Sequence, residues 1–167
     1  FTSEVTTADE FKMDYTVPVA GTVSILAPFQ SDTTSITYTW SGFSDNLSGI
    51  DHYEVSIGTG EETTNVLPRT NTESLDSITV KDLDLGNNNI YFGTIYAIDG
   101  VGNEISAKSS SITIDLVPPT VGTIADGLEA DLAWLKDSTT ASANWTGFYD
   151  LNGIDYYEVA LGTSALG

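Results

Sequence analysis

The residues of this chain best suited to chemistry are acidic and lie between stretches of alternating pattern. Asp14, Asp45, Asp51, Asp99, Asn103 and Glu104 fall in turn-rich, glycine-containing segments. Carboxylates together with loop carbonyls are what Ca²⁺ takes, roughly six to eight oxygens in a flexible geometry. The spacing is not that of an EF-hand loop, so a site must be assembled from separate loops that the fold brings together. The same residue types also make plain solvated turns. The one histidine, His52, follows Asp51, and a His–Asp pair can serve as a general base. Strand alternation turns it outward, however, and Tyr156 takes its place in an internal copy of the segment, so an exposed strand residue is the simpler reading. No Ser-His-Asp set can be built without it, and there is no phosphate loop, histidine cluster or zincin helix. With no cysteine, thiol catalysis, thiolate metal sites and disulfides are excluded. Carboxylate pairs such as Asp45 and Asp51 are commonplace among 24 acidic residues. A non-catalytic chain is expected.

The elements that must position these loops come as a repeat. Trp40–Thr59 (WSGFSDNLSGIDHYEVSIGT) recurs as Trp145–Thr163 (WTGFYDLNGIDYYEVALGT), with 12 identities in 19 aligned positions. Asp14, Pro18 and Gly21 recur as Asp115, Pro119 and Gly122, an offset of 101 residues. A period near one hundred residues is long enough for a sandwich-type domain with its own core. The boundaries that follow are 1–14 for the last strand of a preceding repeat, 15–115 for a complete repeat and 116–167 for about three strands of the next. Three strands cannot cover both sides of a sandwich core, so the natural chain is expected to continue, and the segment reads as an internal piece of a longer exported protein.

Within the repeat the hydrophobic signal has period two. Val23 and Ile25 mark a first strand. Ile36, Tyr38 and Trp40 share the inner face of a second, as do Ala141, Ala143 and Trp145 in the copy. Tyr53, Val55 and Ile57 point inward from a third, with Glu54 and Ser56 outward. A short edge strand is expected at 62–67, another at Ile78 and Val80, and a long one at Ile90–Asp99 whose two faces are both apolar. Ser109–Asp115 closes the repeat. Phe29 occupies the place of Trp134, each read as an aromatic plug beside the first strand. Short strands with turns between them and no helical period predict an all-β fold of tandem antiparallel β-sandwich repeats. In that order the loop Asp45–Asp51, the hairpin Asp99–Glu104 and Asp14 meet at the end where the chain comes in. Asp115, Asp150 and Asp155 would do so at the next junction. Calcium there would relieve like-charge repulsion and stiffen a rod.

Five basic residues against 24 acidic ones leave a net charge of −19, which repels nucleic acid and anionic membrane surfaces. No apolar run approaches the length that crosses a membrane as a helix.

These features resemble the fibronectin type III and immunoglobulin-like repeats found in tandem in giant bacterial surface adhesins, including those of gliding bacteria. The likeness rests on the Trp of the second strand (Trp40, Trp145) and the Tyr of the third (Tyr53, Tyr157). It rests also on Leu-x-Leu-Gly before a Tyr-bearing strand (Leu83 to Tyr91) and on AIDGVGN from Ala97 to Asn103. The resemblance implies a structural core of Trp40, Tyr53, Tyr91, Trp145 and Tyr157, with Tyr91 as a tyrosine-corner residue. It implies a non-catalytic spacer of a secreted, extracellular protein on a bacterial cell surface. Its partners would be neighbouring repeats and a polysaccharide or protein ligand, with no cofactor unless calcium. Accessory modules of a secreted polysaccharide-degrading enzyme, or a carbohydrate- or protein-binding module using Trp134 as a platform, are the other readings. Asp-Ser/Thr triplets at Thr33, Ser77 and Ser138 are similar to the O-glycosylation acceptor of the bacteria that make gliding adhesins.

Overall fold

In the computed structural model, residues 12–61, 63–128, 134, 136 and 139–162 are described. All regular structure among them is β, and no helix is long and apolar enough to cross a membrane. The chain divides into two units, Phe1–Asp115 and Leu116–Gly167.

Among the described residues the first unit carries nine strands: β1 (Thr22–Ile25), β2 (Phe29–Gln30), β3 (Ile36–Ser41), β4 (Ile50–Gly58), β5 (Leu67–Glu73), β6 (Ser77–Val80), β7 (Ile90–Asp99), β8 (Glu104–Lys108) and β9 (Ile112–Ile114). One sheet runs β1-β3-β6, and the other runs β2-β9-β7-β4-β5 with β8 also on β7. The pairings are antiparallel except β2 with β9. This is an antiparallel β-sandwich. Its organising strand is β3, where strict alternation buries Ile36, Tyr38 and Trp40 and exposes Thr37, Thr39 and Ser41, because successive side chains of a strand point to opposite faces. Across the core, β4 contributes Val55 and Ile57, and β7 contributes Tyr91, Ile95 and Ala97.

That settles the inward face of β7, and it shows why the other face is apolar too. Arg69 of β5 lays its guanidinium over the Tyr96 ring, 3.9 Å from the centroid. Glu54 and Glu104 hold it there from β4 and β8. Long charged side chains thus roof the outer face with their apolar stems.

Three strand-level expectations need correction. The edge strand expected at 62–67 is at Leu67–Glu73, and residues 63–66 carry no strand. Pro68 hides it, since proline cannot donate to a ladder, yet β5 is an edge where that loss is tolerated. Ser56 is not outward in the exposed sense. It is 1% exposed, and two residues on, at Gly58, the backbone runs so close that a Cβ would fall on Thr63. Phe29 is no plug: it is half-exposed and starts β2, in register with Thr113 of β9.

The second unit holds β10 (Thr123–Asp126) and β11 (Ala143–Thr146). Their register, Ile124 opposite Trp145, repeats Val23 opposite Trp40. The isolated bridges Val19–Ser44 and Thr120–Tyr149 repeat in the same way. Gly21 and Gly122 lie equally close to their neighbours, a Cβ at either falling on a backbone carbonyl and a Phe ring (Ser41 and Phe43; Thr146 and Phe148). The inward assignment of Ala141, Ala143 and Trp145 is not matched by burial: Ala141 is exposed, Ala143 half-buried, and Trp145 and Tyr157 stay 37% and 47% exposed. The strand expected at 1–14 lies outside the described residues up to Phe11, and Lys12–Val17 carries no strand.

Candidate metal centre

Asp14, Asp45 and Asp99 come from three separate segments, and each offers a carboxylate oxygen within 4.8 Å of the others. Local hydrogen bonding fixes each one. Asp14 Oδ1 accepts from the Thr16 N–H (2.9 Å) and hydroxyl (2.6 Å). Asp45 Oδ1 caps its own turn, accepting from the N–H groups of Leu47, Ser48 and Gly49 at 2.9, 2.8 and 3.0 Å, an Asx arrangement. Asp99, 2% exposed, accepts from the N–H groups of Val101 and Asn103 and from the Asn103 side-chain amide.

The segments are also tied to one another. Ser48 N–H donates to Asp14 Oδ2 at 3.1 Å, Gly100 N–H to the Gly49 carbonyl at 3.1 Å, and Asn103 Nδ2 to the Thr16 carbonyl at 3.0 Å. Asp45 Oδ2 and Asn103 Oδ1 accept nothing among the described residues. Around the gathered carboxylates there are thus free oxygens of the kind a hard cation takes.

No lysine or arginine pairs with the three carboxylates among the described residues. The Asp14 pKa is lowered, chiefly by the Thr16 hydroxyl and N–H. For Asp99, burial pushes upward, but the Asn103 amide and the Val101 and Asn103 N–H groups outweigh it and the net direction is down. Asp14 and Asp99 thus favour the charged form, and carboxylates gathered this closely are the condition a bound cation relieves.

Two of the six expected ligands face other partners. Asp51 pairs with His52 Nδ1 at 2.8 Å, and Glu104 receives both terminal nitrogens of Arg69 at 3.2 and 2.9 Å. Asn103 enters through its bonds to Asp99 and Thr16. Of the second-junction set, Asp115 closes the first unit while Asp150 and Asp155 belong to the second, where Asp150 Oδ1 accepts from the Asn152 N–H at 2.8 Å. Trp40 and Tyr53 pack edge to face at 5.6 Å. Tyr91 is 3% exposed, and its hydroxyl accepts from the Gly86 N–H at 2.8 Å. Thr33 is half-buried with its carbonyl bonded to the Leu85 N–H, Ser77 is exposed on β6, and Ser138 lies outside the described residues. Trp134 is 89% exposed. Sequence reasoning missed Arg69, whose signal was its being the one arginine of a strongly acidic chain, and Thr16 and Ser48, whose signals were the short Asp-x-Thr and Asp-x-x-Ser spacings.

Asp32 caps a turn by accepting from the Ser35 hydroxyl and from the N–H and hydroxyl of Thr34, which lower its pKa to about 2, the Ser35 hydroxyl most. Carboxylates lowered on folding stabilise the folded chain above their unfolded value, about 4, and lose that contribution as pH falls through the folded value. Without metal, the denaturation midpoint should hold above about pH 5 and fall between about pH 4 and 2. Asp32→Asn should flatten part of that fall, which urea titrations across the range will read.

No family model matches the chain, and no curated protein does. Among solved structures, the FN1–FN3 domains of chicken CNTN1 align with 16% identity and a TM-score of 0.35. The match covers 56% of this chain and 32% of that one, about a third of its length.

Proposed function

We propose that the chain is a non-catalytic spacer from a large, secreted bacterial surface adhesin, built of fibronectin type III- or immunoglobulin-like repeats and stiffened by calcium where one module follows another. The observation that carries this reading is the meeting of Asp14, Asp45 and Asp99 within 4.8 Å. Asp14 precedes the body of the module, whereas Asp45 and Asp99 sit on loops of the module itself. A cation held by all three would tie the incoming segment to the sandwich and restrict bending there. Repetition suits the role, because reach grows by adding units whose stabilities are nearly independent. The high negative charge keeps such a rod soluble and extended, and nothing in the role calls for catalysis.

Calcium titration tests it. A ligand at a hundredfold excess over Kd stabilises its site by about 2.7 kcal/mol, a rise in Tm on the order of 10 °C for a module of this size. Adding Ca²⁺ to chelator-treated protein should produce that rise for the first module, saturably, and Asp45→Asn should abolish it. An unchanged Tm across the titration sinks the calcium part of the proposal.

A further inference from the structure

Every outward side chain of the β1-β3-β6 sheet ends in a hydroxyl. Thr22 and Ser24 of β1, Thr37, Thr39 and Ser41 of β3, and Ser77 and Thr79 of β6 are exposed, while the residues between them turn to the core. The register sets them in rows across the strands: Thr22 beside Ser41, Thr39 between Ser24 and Ser77, Thr37 beside Thr79. Thr37 and Thr79 bond each other at 2.8 Å, and the remaining hydroxyls of the face take no hydrogen bond among the described residues. None of these side chains is charged, in a chain of net charge −19, whereas the other sheet presents Glu54, Arg69 and Glu104. The copy keeps the property, with Thr123, Ala125, Asn144 and Thr146 at the same places on β10 and β11. The face of the first unit also holds an open cleft of about 350 Å³, lined by Ser24, Thr39, Trp40, Ser41, Asp76 and Ser77. The Trp40 indole N–H is buried and has no hydrogen-bond partner among the described residues, and the exposed Asp76 carboxylate accepts no hydrogen bond there either.

We propose that this face docks an uncharged polysaccharide, with Asp76 as an acceptor at the edge of the cleft. A hydroxyl both donates and accepts, and so does each hydroxyl of a sugar, so the rows pair with a neutral glycan in either sense. They stand at the strand spacing of about 4.8 Å, within reach of successive hydroxyls along one sugar chain. A polyanion is repelled by the field of the whole chain, and a polycation would settle on carboxylates elsewhere. An apolar partner would strand the hydroxyls without hydrogen bonds. A second copy of the chain is disfavoured by area. Strands of 4, 6 and 4 residues at that spacing give a face of about 300 Å², short of the roughly 800 Å² per partner that a stable protein–protein interface buries. A glycan needs less, because weak contacts repeated from module to module add through avidity.

The test titrates the isotope-labelled full chain with dextran, laminarin, mannan and xylan, reading backbone and indole resonances. Chelator is present throughout, so that the calcium site plays no part in the outcome. At least one of these neutral polymers should shift the amides of Ser24, Thr39, Ser41 and Ser77 and the Trp40 indole, saturably, while the amides of β7 stay still. Alginate, a polyanion, should shift none of them. Thr39→Val keeps the shape and the strand but removes the hydroxyl at the middle of the longest row. It should weaken binding about fivefold, the loss of one hydrogen bond, without lowering Tm. Silence toward all the neutral polymers overturns the proposal, as does an equal response to alginate or unchanged binding by Thr39→Val. Shifts of the same resonances on raising protein concentration alone also overturn it, since they would make a second copy the occupant.

Discussion

Trp40→Ala is expected to destabilise the first module by about 3–5 kcal/mol, as for a large aromatic removed from a closed core, whereas Trp145→Ala should cost the second unit less than about 1 kcal/mol. The two residues stand at equivalent places in two copies of the repeat, opposite Val23 and Ile124 in the same register. The difference lies in what surrounds them. Trp40 is 4% exposed and sits among Ile36, Tyr38, Ile95 and Ile114, so its loss leaves a void that rigid neighbours cannot fill. Trp145 is 37% exposed, and water already reaches the side that its removal would open. Trp40 also carries a buried indole N–H with no hydrogen-bond partner among the described residues, which subtracts from its net contribution. Trp40→Phe should therefore cost clearly less than Trp40→Ala. Urea melts of the two alanine variants, with exchange protection at 50–58 and 154–162 read separately, will check this. Equal losses at the two sites would contradict the burial argument.

That contrast marks the limit of what sequence alone carries. Alternation at Ile36, Tyr38 and Trp40 gives β3 its inner face directly, because period two has one structural meaning when one side is buried. The segments 50–58 and 154–162 look alike to any local reading, yet only the first is a strand. Strand formation is a property of the ladder, and β4 owes its extent to β5 and β7 on either side. The same reason hides Ser56, whose burial depends on what lies over the sheet. β5 was displaced from its expected place by Pro68, which reads locally as a breaker and is acceptable only because the fold makes that strand an edge. In the acidic cluster, Asp14, Asp45 and Asp99 were recoverable because turn loops at one end of a sandwich must meet. Asp51 and Glu104 could not be separated from them by spacing, since their partners, His52 and Arg69, are set by side-chain direction and cross-strand register.

Gly93→Ala is the second substitution expected to act strongly, costing the first module about 3 kcal/mol, the upper range for overpacking a closed core. A Cβ at Gly93 would stand 2.5 Å from Cζ of Tyr38, and Tyr38 is wholly buried. Its ring has nowhere to go. The backbone cannot yield either, for the Gly93 N–H donates to the Ser109 hydroxyl at 2.9 Å and the Gly93 carbonyl accepts from the Ser109 N–H at 2.8 Å. The glycine is thus required by the approach of β3 to β7 across the core, and not by backbone conformation. Tyr38 has its own imbalance. Its hydroxyl is buried with no hydrogen-bond partner among the described residues, and burial pushes the phenol well above its usual range. Tyr38→Phe should accordingly stabilise the module by about 1–2 kcal/mol, since an unsatisfied buried hydroxyl costs more than its absence. Removing the hydroxyl leaves the ring in place, so Phe should not rescue Gly93→Ala. Shrinking the ring should: Tyr38→Leu, costly alone, should cost at least about 1 kcal/mol less in the Gly93→Ala background. A double-mutant cycle of Tyr38→Leu with Gly93→Ala measures that coupling directly. A coupling near zero would mean that the two sheets do not meet at this pair, and the tight β3–β7 approach would have to be abandoned.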